Sequence, residues 1–453
     1  MPSAKQSVTK VLSSAPVYRA MPRGAMRTYA ALKYLGENAS GHEITQFIRK
    51  SGGIPTRHLS TALIAARAVF RAGADDLLAE TLDELQNRFP ESPDLHALRA
   101  DVLAYHGDYE AALEQARSGR MLQPSNAGCA ARVVTYGYRV LSQADADEAA
   151  LQALKRLPFN GEVMWAVTKL CETPEQYHRI NTAWHECQNE PADLFKSVRQ
   201  LATAAGRAGE VDAAVDLYAK AIRLVLDGGD MGGPIVDFKL EGKGAWTAFE
   251  DLHKALDGAG VPYFIAAGTA LGLIREGRPL SADNDIDVGV FDEHFDRDAL
   301  IELFAKNPMF DFDVVHPRTK KVGLKHRGGS PIDIFRFYPD GDLMYHDAVF
   351  VRWGNRPFEI ERRDIRGLDL PFPADSDTYL TENYGDWRTP YAGFDAFFDG
   401  DAPNVEVTWA DYLRLHFIRR GYKALSRGNR KAAAVEIERA GETELAHRMG
   451  ASA

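Results

Sequence analysis

In the first half of the chain, apolar residues recur at the three- and four-residue spacing of amphipathic helices, and the pattern itself repeats. RAGADDLLAETLDELQNRFPESPD from Arg71 and YHGDYEAALEQARSGRMLQPSN from Tyr105 share one plan: a glycine, an acidic residue, an amphipathic helix, then a proline. Gly73 and Gly107 are 34 residues apart, and Pro90, Pro124 and Pro158 recur at the same interval. Pro191 arrives one residue early, and Gly209 falls three intervals after Gly107. The repeat weakens in the middle, where Leu141 stands at the expected glycine. A helix pair of this kind buries its apolar face only by stacking on its neighbours, so the spacing predicts a helical array over residues 56–228. A basic arm and leading helices fill 1–55.

DGGDMGGP, from Asp227 to Pro234, breaks the helical period and marks a boundary. Beyond it, AWTAFEDLHKALDGAG predicts a helix with Phe249, Leu252 and Leu256 on one stripe. VPYFIAAGT and DIDVGVF read as strands, with a segment between them that starts helical and ends as a loop, and RDALIELFAK reads as a helix. Four further β-rich runs follow: FDFDVVH, KVGLKH, PIDIFRFY and LMYHDAVF. The fold class is therefore multidomain: an all-α array, then an α/β domain with a mixed sheet over 235–400, then a helical extension over 401–453.

The chemistry concentrates in SADNDIDVGV, where Asp283, Asp285 and Asp287 open a strand. Side chains at i and i+2 share a strand face, so Asp285 and Asp287 aim together while Ile286 and Val288 point to the core. Paired carboxylates repel one another but suit Mg²⁺ or Mn²⁺, hard ions that prefer oxygen, with a nucleotide diphosphate or triphosphate as the partner sharing the metal. Gly268 and Thr269 precede the acids after a strand, where glycine permits close backbone approach to a phosphate. Asp333, on a later strand, supplies a third ligand or a base. Lys320, Lys321, Lys325 and Arg327 read either as phosphate-holding cations or as a solvated sheet edge. His346-Asp347 reads as structural, because strand neighbours face opposite ways.

Composition narrows the field. The 453 residues carry 54 basic against 64 acidic side chains, a net charge of −10, which excludes a whole-chain electrostatic grip on nucleic acid. Cys129, Cys171 and Cys187 form neither a disulfide nor a zinc framework by count and spacing, and a reducing compartment fits them. No apolar run reaches transmembrane length, and no signal-peptide core opens the chain, so the expected location is cytoplasmic. Two basic segments keep peripheral contact with the inner membrane face open. One is the acid-free stretch before residue 37, and the other runs from Arg414 to Lys431. Each reads first as a solvated terminus.

The 34-residue plan resembles the tetratricopeptide repeat, which implies a surface that docks a protein partner or a polymer, or else an extension packing only on the rest of the chain. GTALGLIREGRPLSADNDIDVGVF resembles the LicD/fukutin branch of the nucleotidyltransferase-fold superfamily, whose motif runs Gly-Thr-x-Leu-Gly-x-x-Arg, a spacer, then Trp-Asp-x-Asp-x-Asp. PIDIF and YLTENYGDWRTP match its later elements, and the resemblance spans about 235–392. It implies catalysis by Asp285, Asp287 and Asp333, a Mg²⁺ or Mn²⁺ held by the same three, and substrate binding by Gly268, Thr269, Arg275 and Asp283. Ala282 stands at the motif tryptophan, and Asn284 where another Asp is common. Tyr384, Gly385, Trp387 and Pro390 imply a turn beside the site, with Trp387 packed or serving as a stacking platform. The implied activity moves a phospho-alcohol, such as phosphocholine or ribitol phosphate, from a CDP-alcohol donor to a glycan acceptor during surface-glycan assembly. The alternatives are nucleotidyl transfer to a sugar, small molecule or protein, and a repeat scaffold with an inactive transferase domain.

Overall fold

The computed structural model describes residues 41–50, 53–54, 56–235, 240, 242–280, 283–391, 393–398 and 401–451. The basic arm before residue 41 and Ala282 lie outside the described residues. After α1 (Gly41–Lys50) come five helix pairs: α2 (Leu59–Arg71) with α3 (Asp75–Arg88), α4 (Pro93–Tyr105) with α5 (Tyr109–Leu122), α6 (Ala127–Val140) with α7 (Gln143–Arg156), α8 (Gly161–Lys169) with α9 (Pro174–Cys187), and α10 (Leu194–Arg207) with α11 (Val211–Leu226). Successive pairs begin 34, 34, 34 and 33 residues apart.

Local chemistry sets that interval. Gly73, Gly107 and Gly209 turn the corner within their pairs at positive φ, and the next residue's N–H reaches back to the helix just ended: Ala74 to Val69, Asp108 to Leu103, Glu210 to Ala205. Between pairs, Ser92, Asn126 and Asn160 cap α4, α6 and α8 with their side-chain oxygens, each two residues after a recurring proline. Where Leu141 replaces the glycine, the backbone stays extended and Ser142 caps α7 instead. The helix survives a different joint.

The second unit begins with α12 (Gly242–Gly258), whose Phe249, Leu252 and Leu256 are buried as the stripe predicts. It continues through β1 (Tyr263–Ile265), α13 (Ala267–Glu276), β2 (Ile286–Phe291), α14 (Arg297–Ala305), β3 (Phe310–Phe312), β4 (Lys321–His326) and β5 (Pro331–Asp340). Then come β6 (Leu343–Asp347), β7 (Val351–Asn355), β8 (Ile360–Ile365), β9 (Leu368–Pro373), α15 (Ser376–Tyr384) and β10 (Val405–Val407). The sheet is mixed. β2 runs parallel to β5, while β1–β2, β3–β4, β4–β5 and the β5–β6–β7–β10 series are antiparallel; β8 and β9 form a separate hairpin. Ile286, Val288, Val290, Ile332 and Ile334 fill one face of the sheet's core. The opposite face of β2 and β5 carries Asp287 and Asp333 and then an aromatic cluster of Phe264, Phe291, Phe335, Phe337 and Phe358.

The chain then returns to the array. In α16 (Ala410–Ser426), α17 (Arg430–Arg439) and α18 (Thr443–Ala451), Leu415, Ile418, Tyr422, Ile437 and Met449 are buried in one core with Trp184, Leu201, Tyr218 and Ile222. The solvated terminal helix expected from the run of cations is therefore corrected. Arg414 pairs with Asp212, Arg420 with Asp395 and Glu436, and Arg427 donates to the Ile235 carbonyl. Gly428 and Gly441 repeat the positive-φ joint of the array, with Asn429 and Glu442 bonding back to Ala424 and Ile437. The sheet domain is thus inserted between helix hairpins that share a core.

Array and sheet domain are joined along β3 and the turn after β4. Tyr109 donates to Asp311 at 2.8 Å, Arg139 to the Phe312 carbonyl at 2.9 Å and Arg207 to the Val315 carbonyl at 3.1 Å, and Lys169 pairs with Asp313. Arg327, fully buried, forms a two-pronged pair with Asp75 at the start of α3 and stacks over Phe70. Arg327 is thus neither a phosphate-holding cation nor a solvated edge. Removing Asp75 strands a buried guanidinium, at a cost on the order of 3 kcal/mol, whereas removing both charges costs far less. Asp75→Ala is expected to lower the thermal unfolding midpoint clearly, and Asp75→Ala/Arg327→Met to recover most of the loss, both read by differential scanning calorimetry.

Candidate active site

β2 begins where the chain leaves a loop, and its alternation sorts the side chains as the sequence implies: Ile286 and Val288 enter the core, Asp285 and Asp287 share the other side. Asp283 folds back to join them. Carboxylate oxygens of Asp283, Asp285 and Asp287 all lie within 4.8 Å of one another. Asp287 is 93 % buried, while Asp283 and Asp285 are half-buried. Burial, then the charges of Asp333 and Asp283, push the Asp285 carboxyl up to about 7, against the lowering pull of Lys321. Burial followed by Asp285, Asp283 and Asp333 holds Asp287 well above the usual carboxylate range, and burial also raises Asp283. Three hard oxygen donors that repel one another at this spacing fit a divalent cation.

The start of α13 builds the wall beside them. Ala267 sits at φ +43, a left-handed conformation costly for a residue with a Cβ. Its N–H donates to the Tyr379 hydroxyl at 3.1 Å, which holds the turn from α15. Gly268 follows, and a Cβ there would collide with Asp283 Oδ2. The close approach that requires glycine is made by a carboxylate of the chain itself, so Asp283 rests against the positive end of α13. Thr269 is buried, and its hydroxyl accepts from the Asp287 N–H at 2.8 Å. In the structure both residues, expected to hold phosphate, position the acids.

Asp333 stands directly across from Asp287 in the parallel β2–β5 register, and Lys321 reaches it from β4. Gly323 opposes Asp333 on β4, and the space its missing side chain leaves is taken by Val315. Asp333 is near enough to raise Asp285 but lies outside the three-carboxylate group.

Other sequence candidates go elsewhere. Arg275 donates to the Trp387 carbonyl at 3.1 Å and pairs with Glu276. Trp387 is buried, its indole N–H bonds to Asp377 and Arg388 covers its ring, which leaves packing as its role. His346 is buried between the rings of Phe337 and Trp353, with burial pushing its pKa down to about 3, and Asp347 accepts from Tyr338. Both belong to the scaffold. Sequence reasoning passed over Tyr384 as a turn residue. Its phenol is held well above its ordinary pKa by burial, then by Tyr379, Asp287, Asp283 and Asp285, which brings it into the acids' field. A tyrosine at the end of a helix gives no such signal in sequence.

Comparison with known proteins supplies the remaining evidence. Residues 260–375 match the family model described as LicD/FKTN/FKRP, nucleotidyltransferase domain. The chain is similar to the ribitol-5-phosphate transferase FKTN of Mus musculus, 24% identical over 197 residues, covering 40% of this chain and 42% of that protein. The Homo sapiens protein of the same name is 24% identical over 190 residues, covering 38% and 41%. An uncharacterised protein of Rickettsia prowazekii is 20% identical over 161 residues, covering 33% and 58%. The chain thus spans about two fifths of the length of these FKTN relatives. Among the described residues no helix is long and apolar enough to cross a membrane. The matched stretch begins just before β1 and ends just before α15, so it contains all four aspartates, and residues 260–375 of this chain are a nucleotidyltransferase domain of the LicD/FKTN/FKRP family.

Proposed function

We propose that this protein transfers a phospho-alcohol from a CDP-alcohol to a glycan hydroxyl during cytoplasmic assembly of a surface glycan. The observation that carries the reading is the convergence of Asp283, Asp285 and Asp287 inside the stretch that matches the transferase family. Ribitol phosphate is the first alcohol to test, because the FKTN relatives are ribitol-5-phosphate transferases.

In this reading Asp283, Asp285 and Asp287 hold Mg²⁺ or Mn²⁺, which when bound offsets charge on the diphosphate. Thr269 fixes Asp287 through its backbone, and Gly268 lets Asp283 close the set. Asp333, opposite Asp287 and oriented by Lys321, accepts the proton of the attacking hydroxyl. The new oxygen–phosphorus bond forms at the distal phosphorus, the bond to the proximal phosphate breaks, and CMP leaves with that electron pair. Lys321 remains near the developing charge.

Phosphorus NMR with Mn²⁺ or Mg²⁺, CDP-ribitol, CDP-glycerol or CDP-choline and glycan acceptors is expected to show CMP and a new phosphodiester from one donor. Asp285→Ala/Asp287→Ala should slow this about a hundredfold or more. Asp333→Asn should slow turnover while leaving Mn²⁺ affinity intact, which separates base from ligand. Pyrophosphate released from a nucleoside triphosphate would point instead to nucleotidyl transfer.

A second expectation concerns pH. A carboxyl whose pKa is raised on folding takes up protons in the folded state, so it favours folding at low pH and loses that contribution as pH rises through about 7. The metal-free protein's thermal midpoint should therefore fall between pH 5 and pH 8 more steeply than that of Asp285→Asn/Asp287→Asn, and Mn²⁺ at pH 8 should restore it.

A further inference from the structure

A cavity of about 410 Å³ lies where the array meets the sheet domain, walled by Trp165 and Lys169 of α8, Arg207 of α10, Val314 and His316 after β3, and Tyr412 of α16. That size suits a small organic ligand. The two cations in its wall are paired, Lys169 with Asp313 and Arg207 facing Glu172 at 3.8 Å, while Arg199 lies over the Trp165 ring at 5.8 Å. Burial pushes His316 down to about 4, so the imidazole is neutral near pH 7, and a ring nitrogen lies 3.4 Å from the Gly206 carbonyl. A pocket whose lining cations are already paired with carboxylates is a poor site for a nucleotide or phosphate. It offers instead the rings of Trp165, His316 and Tyr412 with a few polar groups between them. Trp165 is 37% exposed, and Arg207, nine-tenths buried, keeps Nη2 without a hydrogen-bond partner.

Position gives the cavity its meaning. Asp287 on β2 opposes Asp333 on β5, Asp333 opposes Gly323 on β4, and the Gly323 carbonyl accepts from the Asp313 N–H at 2.9 Å. This row crosses the sheet from the acids to the strand edge. With strands roughly 4.8 Å apart, it covers about 14 Å and ends one residue before Val314 in the cavity wall.

We propose that this cavity binds an uncharged sugar ring of the acceptor glycan, a few units from the hydroxyl that reacts. The inference rests on the phospho-alcohol transfer reading and assigns its acceptor subsite. Aromatic faces cover the apolar side of a pyranose, while Lys169, Arg207 and Thr203 meet its hydroxyls. The array thereby contributes directly to acceptor choice.

Saturation-transfer NMR of the full chain with methyl glycosides of glucose, galactose, mannose, rhamnose, N-acetylglucosamine and N-acetylgalactosamine tests it. At least one should receive saturation, equally in Asp285→Asn/Asp287→Asn, and bind about tenfold more weakly in Trp165→Ala. Thr203→Tyr, which pushes a ring into the cavity, should weaken binding at least as much, with its fold checked by thermal midpoint. No saturation from any glycoside, or unchanged binding in both pocket variants, overturns the proposal. Mn²⁺-dependent CDP-ribitol binding by the same wild-type sample keeps the readings apart. If the donor binds without sugar, the pocket assignment alone fails, whereas loss of both removes the transferase reading as well.

Discussion

Three carboxylates held within 4.8 Å of one another and largely withdrawn from water are the constraint around which this domain is built. Coulomb repulsion at that distance, strengthened by burial, opposes their ionisation and would scatter them in a looser fold. Several features resist that scattering. The Thr269 hydroxyl grips the Asp287 backbone, Tyr379 holds the left-handed turn at Ala267, and Gly268 clears the space into which Asp283 folds. Strain and repulsion meet at the same corner, where a rigid sheet and two helices over-determine the backbone.

The array is more than an appendage. Its helix hairpins share a core with α16, α17 and α18, so the sheet domain is an insertion bounded at both ends by the same helical stack. Arg327, Lys169, Arg139 and Arg207 bind the array to the strand turn and edge nearest it. The edge strand is thereby covered rather than left open to pairing with another chain. Whatever else the array holds, it holds its own sheet domain.

Much of this was legible in the residues, for identifiable reasons. The 34-residue spacing of glycines and prolines reflects joints that need positive φ and caps that follow a turn, both local requirements. The alternation in DIDVGVF likewise placed Asp285 and Asp287 together, because strand geometry needs no tertiary knowledge. What escaped was long-range. Arg327 looked like an edge cation until its partner Asp75, 252 residues earlier, came beside it. The hydroxyl of Thr269 also accepts from the Asp287 N–H, a contact across 18 residues that spacing does not encode. The last helices were misread because their cations are conspicuous while their partners, such as Asp212 and Asp395, lie on other elements. GNRKAAAVEIERAG repeats the glycine joint of the array, but the inserted sheet domain breaks the interval that would have revealed it. Strands β7 to β10 lacked a clean alternation; β8 in particular exposes most of its charged residues.

The central claim is that the repelling carboxylates are a cation site, and calorimetric titration of Mn²⁺ into the metal-free protein at pH 7 tests it most directly. Run in two buffers of different ionisation heat, it counts the protons that leave as the ion enters. The account predicts Mn²⁺ binding accompanied by proton release, because burial and neighbouring carboxylates raise Asp285 and Asp287 above the usual carboxylate range and the ion reverses this, and loss of both signals in Asp285→Asn/Asp287→Asn. Failure to bind Mn²⁺, or binding that survives in that variant with its proton release unchanged, would contradict it.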